Sequence, residues 1–110
     1  MAIIAEVQST GILIAEVQDA LDLMADCYYE GSNKIIIHQK NITPEFFDLQ
    51  SGLLGEILQK FSTYEQKLAI VGDFSEFTDP DLRDFIRESN RYGNINFVNS
   101  LEKAIEKLSK

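Results

Sequence analysis

Residues 34–39 read KIIIHQ and residues 67–74 read KLAIVGDF. Each carries a continuous apolar run closed by polar residues. A strand with one wet face alternates apolar and polar side chains, whereas a strand covered on both faces, as in a parallel sheet, has no reason to alternate. These two runs therefore predict interior strands of an α/β fold, and the rest of the chain is read outward from them.

Helix-period stripes flank both runs. Leu21, Met24, Ala25 and Tyr28 fall at i, i+3, i+4 and i+7, and Gly31 is placed to end that helix. Between the runs, Phe47, Leu54, Leu58 and Phe61 form a second stripe, widened by Leu53 and Ile57. Thr43-Pro44-Glu45 ahead of it carries helix-start signals. Beyond the second run, TDPDLRDFIRESNRYG (78–93) opens with the capping pair Asp79-Pro80 and ends at Gly93. NINFVNS (94–100) predicts a further short strand. SLEKAIEKLSK (100–110) predicts a last helix that starts at Ser100 and gathers lysines toward its C-terminus.

At the N-terminus, IIAEVQ (3–8) returns as LIAEVQ (13–18) around Ser9-Thr10-Gly11, which predicts a β-hairpin. The predicted order is β-β-α-β-α-β-α-β-α. It describes one α/β domain over residues 1–110, in which an N-terminal hairpin joins a mostly parallel sheet packed with helices through right-handed crossovers.

Composition narrows the function classes. The 110 residues suit a single domain, and the hydrophobic and charged shares of 45% and 25% are those of an ordinary globular protein. A net charge of −8 repels nucleic acid, and the one basic cluster, Arg83, Arg87 and Arg91, is diluted by Asp84 and Glu88. No apolar run reaches the ~18 residues of a membrane span. MAIIAEVQ lacks the basic start of a secretory signal, so a cytoplasmic setting is expected. One cysteine, Cys27, cannot form an internal disulfide, and with one histidine it falls short of a transition-metal site. In DLMADCYY (22–29) Cys27 is expected to fill the core. There is no phosphate-binding glycine loop, nucleophile elbow or paired-carboxylate motif, so no cofactor is expected and binding is favoured over catalysis.

Two candidate sites remain. FFDLQSGLLGEIL (46–58) holds a carboxylate, a serine and a glycine where a helix could begin. An unbroken helix from Thr43 would bury Ser51 two turns inside, and its glycines would serve close approach to the sheet. A break at Asp48, favoured by the cost of two glycines in one helix, would put Ser51 near a helix start. The second candidate follows from topology: His38, Asp73 and Asn99 each follow or end a predicted strand, where open α/β sheets bind ligands. A His–Asp pair there is suited to general-base work. The opening hairpin also offers an edge on which a second copy could form a homodimer.

The stretch at 46–58 and the order of elements resemble the STAS domain, the sulfate-transporter and anti-sigma-factor-antagonist fold. Phe46, Phe47, Asp48, Ser51, Gly52, Leu54, Gly55, Ile57 and Leu58 follow its helix-start motif, and KLAIVGD and NFVNSLEKAIEKL resemble its later elements. The likeness spans residues 12–108 in order of elements. It departs from the motif where Asp48 and Ser51 stand three apart, one more than in the family, and in a longer preceding loop with Thr43-Pro44. The resemblance implies a regulatory module that binds a protein partner, with Ser51 as phosphoryl acceptor beside Asp48 and Gly52. The whole chain also resembles a bacterial domain family of unknown function with the landmarks DALDLM, KIII, FFDL, GEILQKF and KLAIVGDF.

Overall fold

A computed structural model describes residues 3–109; Met1, Ala2 and Lys110, the ends of the expected domain, lie outside the described residues. The elements are β1 (Ile4–Glu6), α1 (Val17–Tyr29), β2 (Lys34–His38), α2 (Leu53–Thr63), β3 (Lys67–Val71), α3 (Pro80–Tyr92), β4 (Ile95–Val98) and α4 (Leu101–Leu108). Short 3-10 turns, Gln39–Asn41, Pro44–Phe47 and Leu49–Ser51, connect β2 to α2. The sheet has four strands in the order β1-β2-β3-β4, every pair parallel.

The two runs that predicted interior strands are β2 and β3, at the centre of the sheet. Ile35, Ile37, Leu68, Ile70, Ile95 and Phe97 point to one face, where they pack with Met24 of α1, Ile57 and Phe61 of α2 and Leu82 of α3. The intervening Ile36, Ala69 and Val98 point to the other face, against Ala104 and Leu108 of α4. Burying a residue such as Phe61 or Ile70 stabilises the fold by about 1.5–3 kcal/mol. Burial on both faces is why neither run alternates. Crossovers that all step the same way across a 1-2-3-4 sheet place α1, α2 and α3 on one side. Among the described helices only α4 lies on the other side, over β3 and β4.

The expected N-terminal hairpin is absent. β1 does form in the first copy of the repeat, but it pairs in parallel with β2, Ala5 opposite Ile35. The second copy is no strand. Asp19 accepts from the amides of Ala15 (2.9 Å) and Glu16 (3.2 Å), which starts α1 at Val17. The loop between the copies is held by Asn41, which is fully buried. Its Nδ2 donates to the carbonyls of Ser9 and Gly11, both at 2.9 Å, and its Oδ1 accepts from the His38 amide at 3.1 Å. The Asn41 carbonyl accepts from the amides of Leu13 (2.7 Å) and Ile14 (3.0 Å). A side chain that satisfies this loop removes the need for an antiparallel partner.

The two sheet edges differ. On the outer side of β4, Asn90 of α3 accepts from the Phe97 amide (2.7 Å) and donates to its carbonyl (3.2 Å), while Ser89 donates to the carbonyl of Ile95 at 2.6 Å. The helix thus supplies the partners that another strand would supply. β1, the other edge, is only three residues long.

Candidate functional site

The corner between β2 and α2 is built from its phenylalanines upward. Pro44 opens a 3-10 turn in which Phe46 and Phe47 are buried, their rings edge to face at 5.1 Å. Asp48 ends that turn and caps the next, its carboxylate accepting from the Gln50 amide at 3.0 Å. Gly52 then takes φ 77°, a left-handed conformation that a side chain would strain, and α2 starts at Leu53. The segment therefore breaks after Phe47. Asp48 caps a 3-10 turn rather than an α-helix, and Ser51 stands exposed at the start of α2.

Ser51 makes specific contacts there. Its hydroxyl lies 2.8 Å from the carbonyls of both Glu45 and Asp48, to which its single hydrogen donates, and its Oγ accepts from the Leu53 amide at 3.2 Å. Leu54 and Gly55 supply the next first-turn amides, which have no acceptor inside a helix. Close approach to the sheet is the role that the unbroken-helix alternative gives Gly55. Gly55 does not bring the helix close to the sheet: it is exposed, and a Cβ built on it would meet nothing within 4 Å.

The strand-end residues line two different hollows, His38 in one and Asp73 with Asn99 in the other. His38 Nε2 is 3.3 Å from Glu6 Oε2, in a hollow it shares with Ser9 and Lys40. Asp73 and Asn99 line another hollow with Lys103 and Lys107. Among the described residues no hydrogen bond joins His38 to Asp73 or Asn99. The reason is topological: ligand crevices open where strand order reverses, and a 1-2-3-4 sheet has no reversal. Phenylalanines fill the space at these strand ends instead, with Phe47 stacked on Phe77 (4.9 Å) and Phe74 edge to face with Phe97 (5.3 Å). Asp73 is engaged locally. Its carboxylate accepts from the hydroxyl (2.6 Å) and amide (3.1 Å) of Ser75, which holds it below the usual carboxylate range. Its amide donates to Gln39 Oε1 at 3.1 Å, and Gly72 leaves room for that side chain, which a Cβ would strike.

Other side chains have structural roles. Cys27 is buried in the core, and burial, with Glu30 and Asp26 adding, pushes its thiol up, away from the reactive thiolate. The α3 arginines pair along their own helix, Arg87 with Asp84 (3.0 Å) and Arg91 with Glu88 (3.6 Å), in an exposed face of mixed charge. Among the described residues no helix is long and apolar enough to cross a membrane.

A family model described as a domain of unknown function (DUF4180) matches residues 2–108. The chain belongs to the DUF4180 family. No curated protein and no solved structure matches it.

Two features of this DUF4180 domain escaped the sequence reading. The Glu6–His38 pair joins β1 to β2, and a hairpin prediction placed β1 elsewhere. A cleft beside α1, lined by Met24, Tyr28, Tyr64 and Gln66, was hidden because Gln66 lies in a polar EQK stretch with no motif around it. Its one signal is a polar residue just ahead of a buried strand, where a side chain is drawn inward.

Proposed function

We propose that this domain is a non-catalytic regulatory module that binds a protein partner through the corner at residues 48–55, with Ser51 as the group by which a partner kinase controls the contact. The observation that carries this reading is Gly55. In a helix a glycine costs about 1 kcal/mol relative to alanine. The folded monomer gains no packing in return, because the space beside Gly55 is open. A partner backbone lying close against the bare start of α2 gives that glycine a use.

Ser51 stands on the same corner. Transfer from ATP held by a kinase forms the Oγ–P bond, releases ADP and passes the hydroxyl proton to the kinase's base. The phosphoserine then has no hydrogen for the carbonyls of Glu45 and Asp48, and its charge faces the first-turn amides of α2 and the Asp48 carboxylate. Those changes alter the shape and charge of the corner together. The likeness to bacterial STAS regulators rests on this corner and on the later stretches KLAIVGD and NFVNSLEKAIEKL, while the opening hairpin is missing. A lone, buried thiol accords with a reducing cytoplasm. A ligand-binding or weakly catalytic cluster of His38, Asp73 and Asn99 has less geometric support, because His38 faces Glu6.

The test uses immobilised wild-type, Gly55→Ala and Ser51→Glu proteins in extract of the native host, with retained proteins quantified by mass spectrometry. The expected result is a partner held by the wild type, reduced about tenfold by Gly55→Ala and changed in recovery by Ser51→Glu, while both variants stay folded. Equal recovery on all three refutes the proposal.

A further inference from the structure

Beside α1, at the C-terminal end of α2, lies a cleft of about 570 Å³. That is the size of a small-molecule pocket, for which about 300–1,000 Å³ is typical. Leu21, Met24 and Ala25 of α1 give it an apolar wall, and Tyr28 and Tyr64, 69% and 59% exposed, add two aromatic rings. Asp22 is the one charged residue of the lining, which includes no lysine, arginine or histidine.

Gln66 adds an unmet demand. It is only 5% exposed, and its Nε2 donates to the Met24 carbonyl at 3.4 Å. That contact with an acceptor assigns the amide's nitrogen end and leaves Oε1 as the free acceptor. Among the described residues, Gln66 Oε1 is the single buried side-chain nitrogen or oxygen without a hydrogen-bond partner. A buried acceptor without a donor destabilises the folded state, so a ligand that brings one gains by binding there.

We propose that this cleft is a binding site for a small aromatic cation of the arylalkylamine class. The ring lies along Leu21, Met24 and Ala25 beside Tyr28 and Tyr64, a ring N–H donates to Gln66 Oε1, and the ammonium faces the Asp22 carboxylate. The tyrosine faces favour a cation in their own right. An anionic ligand meets the Asp22 carboxylate and a protein carrying a net charge of −8. A small planar ring reaches a buried amide oxygen more readily than a side chain projecting from a partner helix, so the lining favours the small molecule.

The probe is tryptamine, titrated into the isotope-labelled full chain and followed by NMR. Two analogues accompany it: 1-methyltryptamine, which lacks the ring N–H, and indole-3-propionate, which replaces the ammonium by a carboxylate. The expected result is saturable shifts confined to α1 and residues 64–66, including the Gln66 side-chain amide. Each analogue should bind about tenfold more weakly, as should Gln66→Met. Asp22→Asn should narrow the gap between tryptamine and indole-3-propionate. If Gln66→Met fails to fold, Tyr28→Ala, at an exposed position, should fold and lose about tenfold in affinity. No saturable shift up to about 5 mM tryptamine, shifts elsewhere, or equal affinity for the three compounds overturns the proposal. The cleft lies at the opposite end of α2 from Ser51, so this outcome is separable from that of the partner-capture experiment.

Discussion

Glu65 holds a backbone conformation that glycine usually takes. Its φ is 55°, the only positive value at a non-glycine residue among those described. The reason is the end of α2, where the Gln66 amide donates to the Phe61 carbonyl (2.9 Å) and the Glu65 amide to that of Ser62 (3.2 Å). This reversed pair of bonds requires a left-handed residue between helix and strand, and it is what turns Gln66 inward. Glu65→Gly should therefore raise stability by about 0.5–1 kcal/mol. Urea denaturation checks it: the midpoint should move up with an unchanged slope, and a fall in the midpoint would show that Glu65 relieves its own strain. The same position marks a limit on what the sequence discloses. Gly93 announced the end of α3, whereas the left-handed residue that follows α2 is a glutamate, so the turn that places Gln66 left no signal.

At the scale of elements, α3 and α4 were legible because their caps are local. Asp79 accepts from the Asp81 amide (3.0 Å) and Ser100 from the Lys103 amide (3.2 Å), within a turn of where the sequence put them. The repeat was misread for the opposite reason. The string IAEVQ opens as a strand at 4–6 in the first copy and is a cap running into a helix at 14–18 in the second. What separates the two copies lies outside the string: β2 beside the first and Asp19 just after the second. The hinge of this arrangement is Asn41, whose partners Ser9 and Gly11 are about 30 residues away in sequence. Truncating it removes two donated bonds and the acceptor for the His38 amide. Asn41→Ala should cost about 2–3 kcal/mol, and hydrogen exchange should show faster loss of protection at residues 9–15 than in α3 or α4. Uniform loss across the chain would mean that the loop is held by something other than this side chain.

At the scale of the whole molecule, the parallel sheet was readable because two unalternating runs demand cover on both faces. Strand order was not, since hydrophobic pattern states that a strand is buried without naming its neighbour. The order found, 1-2-3-4, leaves two open edges, and an open edge is a template for another chain. β1 limits the hazard by being three residues long and carrying Glu6. β4 is wholly buried in its side chains, so it cannot use charge, and it relies on Asn90 to occupy both polar groups of Phe97. Removing that amide exposes an apolar strand edge while leaving the core side chains in place. Asn90→Ala is thus expected to lose about 2 kcal/mol of stability and to associate with increasing concentration, as measured by light scattering, under conditions where Asn41→Ala does not. Asn90→Asp keeps the acceptor for the Phe97 amide and loses the donor to its carbonyl, so it should fall between the alanine variant and the wild type. An Asn90→Ala protein as stable and as dispersed as the wild type would show that β4 is protected by the bulk of α3 alone, and that its paired amide is incidental.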